Sequence, residues 1–122
     1  MTGRRIMLLV AAALLAAGSL ATGCSPGAAQ SAPRTVDVHV RDLQFTPGEV
    51  TVSVGDTVRW TFDDGGMFHH VEATDDSFDS TILGTGTFST TFTDAGTHSS
   101  ACAIHPYMTG TVTVIYGWME QA

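Results

Sequence analysis

Residues 50–62 read VTVSVGDTVRWTF. Val50, Val52 and Val54 alternate with Thr51 and Ser53. After Gly55-Asp56 the period resumes, with Val58, Trp60 and Phe62 alternating with Arg59 and Thr61. Successive strand residues point to opposite faces, so each half lays its apolar side chains on one side of a half-buried sheet. The Gly-Asp pair between the halves is a turn signal. Outward along the chain the pattern repeats. Val36, Val38 and Val40 alternate with Asp37, His39 and Arg41, Phe88 and Phe92 flank Thr90 at two steps, and Val112, Val114 and Tyr116 close the chain. Further turn signals fall at Pro47-Gly48, at residues 63–66 (DDGG) and at residues 94–96 (DAG). No helical periodicity of useful length follows residue 34. Short, evenly punctuated strands predict an all-β chain folded as a small β-sandwich, with one buried face per sheet.

The N-terminal segment reads differently. Arg4 and Arg5 precede an uncharged run, IMLLVAAALLAA at residues 6–17, then small residues and Cys24. This is the layout of a secretory signal peptide, too short and too alanine-rich for a comfortable membrane span. Leu20-Ala21-Thr22-Gly23-Cys24 resembles the bacterial lipoprotein signal, which implies cleavage before Cys24 and acylation of its thiol. Residues 25–34 (SPGAAQSAPR) read as a flexible tether. The expected organisation is a signal peptide at 1–23, a lipidated tether at 24–34, a domain at 35–117 and a tail at 118–122. The protein is then exported and anchored by lipid on Cys24, on the outer face of the cytoplasmic membrane or in the periplasm. With lipid on Cys24, Cys102 has no disulfide partner and is a lone thiol in an oxidising compartment, for which metal is the leading occupant.

Charge removes whole classes of function. The 122 residues carry five arginines, no lysine and twelve acids, a formal −7. Without the leader, three arginines face twelve acids, a formal −9. Such a chain lacks the basic footprint that nucleic acid requires. With no lysine, Schiff-base chemistry and a Walker-type phosphate lysine are excluded.

Residues 102–108 read CAIHPYM, a C-x2-H-x2-M spacing. A thiolate, an imidazole and a thioether within seven residues form a borderline-to-soft donor set that suits copper in both oxidation states. A tight loop between two strands can point all three at one atom. A second imidazole must come from elsewhere, and residues 67–71 (MFHHV) supply His69 and His70 just after the glycine-rich turn.

On these residues the chain resembles the cupredoxins of the plastocyanin/amicyanin type. His69-His70-Val71 matches the family's His-x-Val. Cys102-Ala103-Ile104-His105-Pro106-Tyr107-Met108-Thr109-Gly110 matches its second motif, with the short amicyanin-like loop. The likeness covers about residues 36–115. It implies a Greek-key sandwich and one type 1 copper ion, with His69, Cys102 and His105 as trigonal ligands and Met108 as the weak axial ligand. His70 stands where the family often has asparagine or threonine, and is either a hydrogen-bonding neighbour or an alternative ligand. His98 stands where tyrosine is common, and Ser100 and Ala101 lack the aromatic that often precedes the cysteine. His39 is expected on the solvated face, and Asp75, Asp76 and Asp79 are expected to be loop acids rather than a calcium site.

The leading function is a monomeric, non-enzymatic one-electron Cu(I)/Cu(II) carrier that meets its redox partners through transient contacts. The alternative is a lipoprotein that stores or delivers copper with the same ligands. A metal-free interaction domain leaves the ligand spacing unexplained. A cysteine-nucleophile enzyme lacks an orienting third group.

Overall fold

The computed structural model describes residues 32–117; the expected leader, Cys24 and the tail 118–122 lie outside them. Nine strands run in order: β1 (Thr35–Arg41), β2 (Gln44–Thr46), β3 (Glu49–Ser53), β4 (Thr57–Phe62), β5 (His69–Ala73), β6 (Asp79–Leu83), β7 (Gly86–Thr91), β8 (Gly96–Cys102) and β9 (His105–Ile115). There is no helix among the described residues. One sheet has the order β2-β1-β4-β7 and the other β3-β9-β8-β5-β6. Both are mixed. β1 runs parallel to β4, with Val36 opposite Val58, and β3 runs parallel to β9, with Val52 opposite Val114.

The alternation read from the sequence sets the buried faces. Val38 and Val40 of β1, Val58, Trp60 and Phe62 of β4, Val50 and Val52 of β3 and Val112 and Val114 of β9 all enter one core. Each such side chain contributes roughly 1.5–3 kcal/mol by leaving water. Trp60 anchors the aromatic part, with ring centroids 5.1 Å from Phe78 and 5.7 Å from Phe88. Tyr116 departs from the expected alternation and is 76% exposed. The β3–β9 ladder ends at Ser53 opposite Ile115, so nothing holds the next residue to the core side.

At the β3–β4 turn, burial pushes the Asp56 carboxyl up. The Arg34 and Ser53 amides, donating at 2.8 Å each, and the Arg34 guanidinium outweigh it and hold the group below its usual value.

The topology also gathers one end of the second sheet. β9, β8 and β5 are consecutive neighbours and alternate in direction. The start of β5, the end of β8 and the start of β9 therefore meet. Those three positions are His69, Cys102 and His105.

Candidate metal centre

Cys102 and His105 are cross-strand partners across a two-residue turn, Ala103-Ile104. Residues facing each other across such a ladder lie close enough for their side chains to touch. Cys102 Sγ is 3.6 Å from His105 Nδ1. The thiol is fully buried, and the imidazole of His105 is half-buried beside exposed Tyr107, at 6.1 Å between ring centroids. Across the β5–β8 pair, the His70 amide donates to Cys102 Sγ at 3.3 Å.

His69 is fully buried, with its ring 5.0 Å from that of His105. One donor atom from each of His69, Cys102 and His105 lies within 4.8 Å of the others. Met108 sits three residues into β9, 1% exposed. The two nitrogens of His69 differ sharply. Nε2 lies 2.7 Å from Asp64 Oδ2, whereas Nδ1 is buried with no hydrogen-bond partner. A buried, unpartnered ring nitrogen costs roughly 1–3 kcal/mol unless something occupies it. A metal ion accounts for it, and a thiolate with two imidazoles is a donor set that fits copper.

His70 stands outside the group of three converging donors. Its amide serves the thiol, and its ring turns away to Asp79 Oδ1 on β6. The His70 ring and the Thr81 amide together hold the Asp79 carboxyl below its usual range. Asp79 is thus the first residue of β6 and a partner of the site's edge, not a free loop acid. His39, expected to be solvated, lies with Nδ1 3.7 Å from Asp63 Oδ2.

The sequence reading missed Asp64. Residues 63–66 carried only a turn signal, and nothing in the spacing links a turn aspartate to an imidazole five positions on. Here the His69 ring and the amides of Asp42 and Leu43 hold its carboxyl below the usual range.

Residues 6–114 match the family described as the cupredoxin-like domain. The chain is 34% identical over 98 residues to amicyanin of Paracoccus denitrificans, covering 71% of this chain and 70% of that one. Among solved structures, a purple cupredoxin from Nitrosopumilus maritimus superposes with a TM-score of 0.60 at 28% identity, covering 65% of this chain and 98% of that one. An amicyanin variant solved in the Cu(I) state gives a TM-score of 0.60 at 29% identity, covering 66% of this chain and 81% of that one.

Proposed function

The chain belongs to the cupredoxin-like family, and from that premise we propose that it is a one-electron carrier built round a single type 1 copper ion. His69, Cys102 and His105 would hold it, with Met108 as a fourth, thioether donor. The observation that carries this reading is the convergence of one donor atom from each of three residues within 4.8 Å, at a histidine whose buried Nδ1 has no hydrogen-bond partner. Bound copper supplies the Cu(I)/Cu(II) couple. The chain's part is to hold the donors in one arrangement that serves both states.

Each ligand is held by the fold. Cys102 is fixed at the end of a central strand and accepts the His70 N–H, the kind of sulfur hydrogen bond that tunes a copper potential. His69 is fixed by burial and Asp64. His105 alone is half-buried, so it is the ligand nearest to a partner. Exposed apolar side chains flank both of these histidines along the chain, Ile104 and Tyr107 about His105 and Met67 and Phe68 before His69, and we take them as one contact area. Such an area suits the brief encounters of electron carriers.

We place the protein outside the cytoplasmic membrane, held by lipid on Cys24. The support is the sequence of residues 20–24. One preparation tests both halves of the proposal. Full-length protein should fractionate with membranes, and Cys24→Ala should be released. With Cu(II), the protein should develop an intense thiolate-to-copper absorption that bleaches on reduction and is absent from Cys102→Ala. A colourless protein would sink the copper reading. Copper that passes readily to a chelator and does not cycle would mark a delivery protein instead.

A further inference from the structure

Asp64 is an acidic side chain in direct contact with buried His69. It lies in the connection between β4 and β5, with 17% of its side chain exposed, and its Oδ2 faces His69 Nε2 at 2.7 Å. The backbone amides of Asp42 and Leu43, in the turn between β1 and β2, face the same carboxyl. Both residues have left-handed backbones, with φ of 55° and 57°. Consecutive amides in such a turn form a concave anion seat. One carboxylate is therefore seated on the hairpin turn of one sheet and grips an imidazole at the end of the other.

We propose that Asp64 is a positioning residue for the metal centre, keeping the His69 proton on Nε2, aiming Nδ1 at the copper, and favouring Cu(II) over Cu(I) through its negative charge. This rests on the copper reading above. A neutral imidazole carries one proton on one of two nitrogens. With the proton on Nε2, the ring donates to Asp64 and Nδ1 presents its lone pair. The opposite tautomer would set two acceptors against each other at 2.7 Å and leave a buried N–H without an acceptor. The carboxylate also adds electron density to the ring, as acidic partners of metal-bound histidines do. A fixed anion is attracted more strongly by a doubly charged ion than by a singly charged one. Reduction adds one electron and no proton, so this difference appears directly in the potential.

Two measurements test the proposal. In metal-free, nitrogen-15-labelled full-length protein, His69 should show a protonated Nε2, and Asp64→Ala should lose that tautomeric preference. A proton on Nδ1 in the unaltered protein overturns the positioning role whether or not copper binds. In Asp64→Asn the amide oxygen can still accept from Nε2–H while the charge is gone. The variant should keep its colour, and its preference for Cu(II) over Cu(I) should fall about tenfold, a rise of about 59 mV. A blue Asp64→Asn protein whose potential matches the unaltered one overturns the charge role. An unaltered protein that never turns blue defeats the copper reading instead, with the nitrogen-15 result still standing.

Discussion

The pairing of Cys102 with His105 is legible in the sequence because a two-residue turn joins them and local spacing survives folding, and the same stretch puts Met108 three residues into β9. His69 was legible by motif. The acids that serve the site's histidines were not. Asp64 and Asp79 meet His69 and His70 from other segments, across five and nine residues, through a turn and a strand pairing that no local pattern encodes. The same holds for Asp75 and His98. The Ser77 side chain and amide and the His98 ring hold the Asp75 carboxyl down to about 2 from an ordinary 3.8. His98 Nδ1 lies 2.7 Å from Asp75 Oδ2, and its ring packs 5.4 Å from Phe92, filling the place where tyrosine was expected. A carboxyl depressed in the folded state adds stability above its unfolded value, and that stability is lost as pH falls through the folded value. The contribution of Asp75 should therefore vanish between pH 3.8 and about 2. Urea melts across that window should show a shallower loss of stability in Asp75→Asn than in the unaltered protein. Equal slopes would mean that this cluster contributes nothing to folding.

Strands β1, β3, β4 and the end of β9 follow from period two, because one face of each is apolar. β6 (DSTIL) and β8 (GTHSSAC) show no such alternation. β8 is a strand because it lies between β5 and β9, whose ladders satisfy its backbone on both sides. Its inward positions include Ser100, 3% exposed, where a sequence pattern predicts surface. Between β6 and β7, Gly84 meets the loop that precedes His69. A Cβ there would lie 2.8 Å from the Gly66 carbonyl oxygen and 3.2 Å from the Phe68 ring. The carbonyl belongs to the turn carrying Asp64, so it can yield only by moving that turn. Gly84→Ala should cost about 1–3 kcal/mol, while Gly117→Ala, with open space around it, should cost little. Thermal unfolding of the pair decides this, and equal melting temperatures would show that the 63–68 loop has slack.

Charge is partitioned over the whole molecule. Arg59 pairs with Asp37 at 2.7 Å, Arg34 with Asp56 at 3.5 Å and Arg41 with Asp63 at 3.7 Å, all on or beside the β2-β1-β4-β7 sheet. The five strands of the ligand-bearing sheet contain no arginine or lysine, and they carry Glu49, Glu72 and Asp79. That face should steer toward basic partners, so association with a basic redox protein should slow as the Debye length shrinks from about 30 Å at 0.01 M salt to about 8 Å at 0.15 M. Stopped-flow rates that ignore salt would exclude electrostatic steering. The sandwich class, the acidic balance and the soft donor motif all followed from order along the chain, since alternation, composition and short spacings are local properties. The parallel pairing of β1 with β4 and β3 with β9, the meeting of three strand ends at one pole, and the seating of Asp64 between a turn of one sheet and a histidine of the other did not. Those depend on which distant segments share a hydrogen-bonded edge, and that choice is made by the packing of the whole core.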